Sequence, residues 1–183
     1  FVEDYGKKKD QAPAATVEAE DGYSGMFPEI LQWDERWGYS PYGTSIIAVS
    51  GCGPTCVSML VVGLTGDKTV TPSVVADYAT QNHYVDENND TTWAFMTSGV
   101  EHWGLTCRES NGNESEIAKE LEAGHPVICS MRPGNFTDIG HFIILTSYNN
   151  GNVTICDPFS LENSKKSWNY SQISSQIKAV WVY

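Results

Sequence analysis

An apolar run from Val57 to Leu64 constrains the fold of this chain more than any other segment, because it follows directly on Gly51-Cys52-Gly53-Pro54. Pro54 suits the first turn of a helix, where its missing N–H is not needed and its fixed φ is already helical. The run has few polar interruptions, so the pattern predicts a buried central helix that begins at this tetrapeptide. It is far shorter than the roughly 18 apolar residues of a membrane span, and we expect no membrane insertion of this domain.

Three further helices are predicted between this central helix and Gly124. Thr71 and Asn113 are residue types that cap helix N-termini, and glycines at positions typical of C-caps follow the later segments. The predicted helical segments are Thr71–Asn82, Thr92–Trp103 and Asn113–Gly124.

The pattern changes after Gly124 to short runs rich in β-branched and aromatic residues, which are typical of strands. The turn sequence Asn149-Asn150-Gly151-Asn152 separates the second run from the third and predicts that these two pair as an antiparallel hairpin. Helices followed by strands predict an α+β fold. The four predicted strands are Pro126–Met131, Phe142–Tyr148, Val153–Cys156 and Lys178–Tyr183.

The length of 183 residues and a hydrophobic content of 40% fit one globular domain. Residues 1–26 contain Lys7-Lys8-Lys9 and almost no large apolar side chain before Tyr23, which is typical of a flexible linker or leader. We therefore expect the folded domain over residues 27–183. Phe1 is not a natural first residue, which predicts a fragment or a mature form whose signal peptide or anchor has been removed.

The formal charge of −12 would repel phosphate backbones and anionic lipid headgroups, so nucleic acid and membrane surfaces are poor partners. The sequence pI of 4.6, the abundance of Asn, Ser, Thr, Trp and Tyr, and the leader together predict a secreted or cell-surface protein. We expect a monomer.

The chain has an odd number of cysteines, so at least one thiol stays free unless a bond forms between chains. The spacing of the cysteines does not determine which of them form disulfides. For Cys107, Cys129 and Cys156 it favours a role as small buried side chains. No Cys-x-x-Cys pair is present and no histidine lies at ligand spacing, so we expect neither a metal nor another cofactor. The cysteines are Cys52, Cys56, Cys107, Cys129 and Cys156.

Cys52 lies where a thiol can become a nucleophile. The free N–H groups and the positive end of the dipole at a helix N-terminus stabilise a thiolate. The dipole supplies only about 0.3–1 kcal/mol, so an imidazolium must supply the rest. Gly51 and Gly53 allow a substrate carbonyl to approach the local N–H groups.

His141 is the predicted partner, because it begins a strand directly after Gly140. Asp157 follows the strand that should pair with the His141 strand, and a carboxylate there can fix the imidazole and stabilise its charged form. The other histidines lie near predicted helix ends or at an edge, where imidazoles commonly cap carbonyls or face water. These are His83, His102 and His125.

Three motifs in this order resemble the papain-like cysteine peptidases of the bacteriocin-processing (double-glycine leader) type, and in particular their secreted bacterial relatives. The similarity runs from Leu31 to the C-terminus. It implies a papain-like cysteine proteinase fold, in which an N-terminal helical part with a central catalytic helix packs on a C-terminal antiparallel sheet. The motifs are Gly51-Cys52-Gly53-Pro54-Thr55, Gly140-His141-Phe142-Ile143 and Ile155-Cys156-Asp157-Pro158.

The resemblance implies Cys52 as nucleophile, His141 as base and Asp157 as the residue that orients the base. It also implies an upstream glutamine that donates to the oxyanion, and Gln32 is the matching residue, although it lies 20 positions before Cys52. Whether the Gln32 side chain reaches Cys52 depends on how the loop over Tyr39–Ser50 folds back. Cys56, one helical turn beyond Cys52, could compete as nucleophile or form a regulatory disulfide.

The resemblance implies a cysteine-dependent hydrolase that cleaves peptide or amide bonds outside the cell, in proteins, peptides or the peptide stems of bacterial cell wall. The same residues would also permit acyl transfer to an amine, as in a transpeptidase. A catalytically silent binding or adhesion module on the same scaffold is the alternative from another class. The sequence has no transporter or ATP-binding part, so the exporters' leader-peptidase role does not transfer.

Overall fold

The computed structural model of this chain describes residues 2–20 and 22–183. Phe1 and Asp21 lie outside the described residues, and with them the expectation about the first residue and one position of the predicted leader. None of the helices in the described ranges is long and apolar enough to cross a membrane.

The described elements range in length from two residues to fourteen. The helices are α1 (Val2–Lys8), α2 (Ile47–Ser50), α3 (Cys52–Thr65), α4 (Pro72–Gln81), α5 (Glu114–Glu122), α6 (Leu161–Ser164) and α7 (Tyr170–Ile173), with a π-helix at Phe95–Gly99 and 3₁₀ turns at Val100–Trp103 and Ser174–Gln176. The strands are β1 (Tyr23–Ser24), β2 (Phe27–Pro28), β3 (Pro41–Tyr42), β4 (Ser45–Ile46), β5 (Arg108–Ser110), β6 (Val127–Met131), β7 (His141–Asn149), β8 (Asn152–Cys156), β9 (Trp168–Asn169) and β10 (Ile177–Val182).

A six-stranded sheet in the order β5-β10-β6-β7-β8-β9 forms the C-terminal half, and every neighbouring pair in it is antiparallel. The predicted hairpin is confirmed. Asn149 pairs with Asn152, and the two residues between them, Asn150 and Gly151, both have positive φ, at 48° and 85°. That combination is the tight two-residue turn whose twist matches the flanking strands.

Two of the three additional predicted helices are confirmed with their caps. The Thr71 hydroxyl accepts from the N–H of Val74 at the start of α4, and the Asn113 side chain accepts from the N–H of Ser115 at the start of α5. The third predicted helix is also present before Gly104, as a π-helix over Phe95–Gly99 followed by a 3₁₀ turn over Val100–Trp103. A Cβ on Gly99 would lie 2.2 Å from the ring of buried Phe95, so the widened turn is the place where that ring is accommodated.

The central helix α3 packs on the sheet as expected, and the α+β prediction is confirmed. The sheet is also covered on its other face, so all five residues of β6 are buried. A strand buried on both faces cannot alternate between apolar and polar residues. The face towards α3 and α4 carries Ile128, Phe142, Ile144, Cys156 and Trp181. The opposite face, towards α5 and α7, carries Val127, Cys129, Ile143, Leu145 and Val180.

Part of the predicted leader contacts the domain. Val17 is 1% exposed and belongs to the same core cluster as the residues of α3. Its N–H donates to the carbonyl of Lys68 at 2.8 Å, and the N–H of Ala14 donates to the carbonyl of Arg36 at 2.9 Å. The division into a leader over 1–26 and a domain over 27–183 stays a prediction, and Val17 offers a direct test of it.

We expect Val17→Ala to lower the free energy of unfolding by about 2 kcal/mol, because the substitution removes buried methyl groups and leaves a cavity. Urea denaturation followed by tryptophan fluorescence measures the change. Val74→Ala is the control, since Val74 is 46% exposed. Equal, small effects of the two variants would mean that residues around Val17 are a flexible leader in solution.

Candidate active site

Cys52 is the first residue of α3 and is half-buried. Gly51, at the N-cap, has φ −90° and ψ 21° and offers no side chain to satisfy the free N–H groups of the first turn. A Cβ on Gly53 would lie 2.1 Å from the hydroxyl oxygen of Thr91, so only glycine allows the loop carrying Thr91 to approach the helix this closely. The helix N-terminus therefore remains open beside the thiol.

His141 begins β7 and is 7% exposed. Its Nε2 lies 2.7 Å from Oδ1 of Asp157, and the thiol of Cys52 is close enough to the imidazole to raise its pKa. Because Nε2 is engaged by the carboxylate, Nδ1 is the nitrogen left for the sulfur. The structure thus brings together three of the predicted residues, from α3, β7 and the end of β8.

Asp157 lies directly after β8 and is 2% exposed. Its Oδ1 also accepts from the N–H of Phe159 at 2.9 Å, and its Oδ2 accepts from Nδ2 of Asn163 at 2.8 Å. Its own N–H donates to Oγ of Ser164 at 2.9 Å. These bonds stabilise a buried carboxylate and fix the direction in which it faces His141.

The pKa of His141 is the result of opposing effects. Burial lowers it, but the hydrogen bonds to Asp157 and Cys52 and the negative charges of these groups outweigh burial and raise it from 6.5 to about 10. The charged imidazolium is therefore the favoured form beside the thiol at neutral pH. A thiolate and an imidazolium in contact form the pair from which thiol nucleophiles act.

Gln32 lies in the wall of the same cleft as Cys52, in spite of the long separation in sequence. The residues between them form the β3–β4 hairpin, whose ends are held together by bonds from the N–H groups of Ile47 and Ala48 to the carbonyls of Ser40 and Gly38. Because these bonds bring the two ends of the hairpin together, the 20 positions between Gln32 and Cys52 do not place the two residues far apart in space.

The side chain of Gln32 is held in place by the turn before Cys52. Nε2 donates to the carbonyls of Ala48 at 3.2 Å and Ile47 at 3.4 Å. The N–H of Gln32 donates to the carbonyl of Pro158 at 2.7 Å, which ties this residue to the segment after Asp157. Oε1 is buried without a hydrogen-bond partner among the described residues, and such a costly arrangement is common at functional sites.

The other four cysteines differ from Cys52 in their surroundings, and all five are free thiols. Cys56 is fully buried and donates to the carbonyl of Phe142 at 3.4 Å. Burial raises its pKa well above the ordinary value, and burial also raises the pKa of Cys129 to about 12. Buried neutral thiols are inert, so the expectation that Cys56 could compete with Cys52 is wrong.

The remaining histidines have structural surroundings, as expected. Nδ1 of exposed His125 lies 2.7 Å from Oε2 of Glu120. The ring of His102 stacks on that of Tyr78 with 4.1 Å between centroids. His83 has φ 60° just after α4. None of these three lines the cleft at Cys52.

The cleft has two halves that meet at Cys52, His141 and the preceding Ile139-Gly140 pair, with volumes of about 660 and 540 Å³. The walls of the larger half, here called the charged half, include Asp86, Asp90, Trp93, Arg132 and Lys178. The walls of the smaller half, here called the apolar half, include Val49, Phe136, Ile139 and Phe159.

Sequence reasoning missed these walls and also Asn163, because the segments that carry them are loops without a repeating pattern. The sequence contained one local indication that a short helix places Asn163. Ser160 is a residue type that caps helices, and its hydroxyl accepts from the N–H of Asn163 in the short helix α6. Among residues 2–20 and 22–183, no group of three or more His, Cys, Asp or Glu side chains is arranged to hold a metal ion.

The model of the Peptidase_C39 like family matches residues 26–183. The chain belongs to the C39-like peptidase family. Its fold is the papain-like fold of that family, so the predicted resemblance and fold are both confirmed. Family and fold together support a cysteine peptidase.

The solved structure of a C39 peptidase domain agrees on the fold, and a second solved structure has a lower TM-score. The peptidase domain of Streptococcus ComA, a bi-functional ABC transporter involved in a quorum sensing pathway, has a TM-score of 0.54 and 13% identity, over 74% of this chain and 90% of that chain. A C39-like peptidase from Bacillus anthracis has a TM-score of 0.44 and 15% identity, over 92% of this chain and 96% of that chain. No curated protein is similar enough in sequence to match this member of the family.

Proposed function

We propose that the chain is an extracellular cysteine peptidase that hydrolyses peptide bonds with Cys52, His141 and Asp157. One observation carries the proposal: buried His141 bonds to the carboxylate of Asp157 at 2.7 Å and lines the same cleft as Cys52, whose thiol is close enough to raise the pKa of the imidazole. A nucleophile, a base and a group that orients the base are then joined at the junction of two cleft halves.

In the first step, the Cys52 sulfur attacks the carbonyl carbon of the scissile bond, and a C–S bond forms as the carbonyl π electrons move to oxygen. The resulting oxyanion needs preorganised donors. The N–H of Cys52, at the open helix N-terminus, is one donor. Nε2 of Gln32, a residue of the cleft wall, is the other, with one of its two N–H groups shared between the carbonyls of Ile47 and Ala48 and the second given to the oxyanion.

In the second step, the oxyanion collapses, the C–N bond breaks, and the imidazolium of His141 gives its proton to the leaving amine. Water then attacks the acyl-enzyme while neutral His141 takes a proton from it. The C–S bond breaks, and the thiolate–imidazolium pair forms again. Asp157 keeps the imidazole oriented in both steps, and its own oxygens are held by the N–H of Phe159 and by Nδ2 of Asn163.

Binding without catalysis is the weaker proposal for this site. A binding module without catalytic activity has no physical need to bury the imidazole of His141 between the Cys52 thiol and the Asp157 carboxylate. Acyl transfer to an amine stays a prediction, because the same residues would carry it out and the acceptor decides the outcome.

A digest of a proteome-derived peptide library tests the proposed function. The wild-type chain is expected to generate new peptide termini that mass spectrometry detects, whereas a parallel digest with Cys52→Ala gives none. Including a soluble amine in a second digest separates hydrolysis from acyl transfer, since transfer adds the amine to the new C-termini. The same new termini with Cys52→Ala would contradict the proposal.

Gln32→Ala is expected to lower kcat by about 10²-fold, with a smaller change in KM, because an oxyanion donor acts on the transition state more than on bound substrate. Steady-state kinetics on a peptide from the digest measures both constants. Gln81→Ala, at the end of α4, is the matched control. An unchanged kcat would remove Gln32 from the mechanism and leave it a residue that holds the turn before Cys52.

A further inference from the structure

The charged half of the cleft has walls of opposite sign. Asp86 and Asp90 come from the loop that follows α4, on the side of the helices, and Arg132 and Lys178 come from the end of β6 and from β10, on the side of the sheet. All four side chains are exposed. Cys52 and His141 line the same space, Cys52 from the side of the helices and His141 from the side of the sheet.

The two cations are not neutralised by acidic side chains in the part of the chain that the structure describes. The chain has 23 acidic residues for 11 basic ones, and five of the basic side chains pair with acids: Lys8, Arg36, Lys68, Arg108 and Lys166. Arg132 and Lys178 have no ion-pair partner among the described residues. Lys178 instead lies 5.4 Å from the centre of the Trp93 ring, and Nε of Arg132 reaches only a backbone carbonyl at 3.5 Å.

The acidic wall is fixed by its own loop. Oδ1 of Asp86 accepts from the N–H groups of Asn88 and Asp90, each at 2.9 Å. The loop is also tied to the β3–β4 hairpin, because Oδ1 of Asn89 accepts from the N–H of Thr44 at 2.7 Å. Asp86 and Asp90 therefore line the cleft on a loop that these bonds hold in place, with Oδ2 of Asp86 making no hydrogen bond to the described residues of that loop.

Successive side chains of an extended peptide point in opposite directions. A peptide that lies in the charged half therefore turns one side chain to the acidic wall and the next to the basic wall. We propose that this peptidase selects polypeptides with two adjacent residues of opposite charge on one side of the scissile bond, the acidic one facing Arg132 and Lys178 and the basic one facing Asp86 and Asp90. The inference rests on the proposed function and names its substrate class.

Quenched fluorescent peptides built on one cleavage site from the digest test this. Two adjacent positions, first before and then after the scissile bond, carry Glu-Lys, Lys-Glu, Glu-Glu or Lys-Lys. On one side of the bond, one mixed order is expected to have a kcat/KM about fivefold to tenfold above both like-charged pairs at low salt. The preference should shrink at about 0.5 M salt, since screening weakens exposed charge pairs.

The double variant Arg132→Glu/Lys178→Glu is expected to prefer Lys at the position where the wild type prefers Glu. Lys119→Glu/Lys165→Glu is the matched control, because both lysines are exposed, lie outside the cleft and give the same change in net charge. The control should keep the wild-type ranking. If the active wild type cleaves all four charged pairs with equal kcat/KM, or if the control variant changes its preference as much as the double variant does, the substrate inference is wrong while the proposed function stands. Absence of all cleavage would overturn the proposed function with it.

Discussion

Replacing Cys52 with alanine is expected to lower kcat/KM for peptide cleavage by at least about 10⁴-fold, because no acyl-enzyme can form without the sulfur. The substitution removes one half-exposed atom at the start of α3 and leaves the rest of the cleft in place. Substrate binding, measured by fluorescence anisotropy of a labelled peptide, should therefore change little while turnover is lost. Cys52→Ser should also be nearly inactive, since a hydroxyl is a much weaker nucleophile beside the same imidazole.

Cys56→Ala is the matched control for this variant. Cys56 lies one helical turn further along α3, fully buried, and its thiol donates to the carbonyl of Phe142. We expect it to lower the free energy of unfolding but to keep kcat/KM within about threefold per folded molecule. Retention of more than about a tenth of the activity by Cys52→Ala, or loss of activity only in Cys56→Ala, would assign the nucleophile to another residue.

Asp157→Ala is expected to lower kcat by about 10³-fold, because the imidazole of His141 loses the group that fixes its orientation and stabilises its charge. Asp157→Asn keeps an oxygen near Nε2 without the charge, and we expect it to be intermediate. Asp77→Ala, an exposed position on α4, is the control and should be neutral. Comparable activity of Asp157→Ala and wild type would reduce Asp157 to a residue that holds the loop after β8.

Asp157→Ala is also expected to change the pH dependence of kcat/KM. Burial lowers the pKa of His141, and Asp157 and Cys52 raise it, so without Asp157 that pKa should fall, with Cys52 alone opposing burial. The alkaline limb of the kcat/KM profile, where the imidazolium loses its proton, should therefore move to lower pH. In the wild type, the stability that this raised pKa contributes is complete below about pH 6.5 and is lost as the pH rises towards about 10. An alkaline limb that stays in place would contradict this assignment.

Local signals in the sequence were sufficient for much of the fold and for the residues around the thiol. Pro54 after Gly53 predicted where α3 begins, Thr71 and Asn113 predicted two further helix starts, and Asn150-Gly151 predicted the hairpin. The hairpin then determines which residues become neighbours. Because it pairs β7 with β8, Asp157 and His141 are close in space although they are 16 positions apart.

What the sequence did not predict depends on contacts between distant segments. Val17 is one small apolar residue in a polar stretch, and no local pattern distinguishes a buried valine from a solvated one. The two walls of the charged half come from loops that are far apart in sequence, so Asp86 and Lys178 read as ordinary surface charges. The reach of Gln32 depended on the closure of the β3–β4 hairpin, which backbone bonds between Gly38–Ser40 and Ile47–Ala48 provide.

The central claim is that the Cys52 sulfur is an activated nucleophile because His141 lies beside it, and site-resolved alkylation tests this most directly. Iodoacetamide at about pH 5.5 is expected to label Cys52 far faster than half-buried Cys107, with activity lost in parallel, and His141→Ala should remove the difference. Equal, slow labelling of the two cysteines in the wild type would contradict the account.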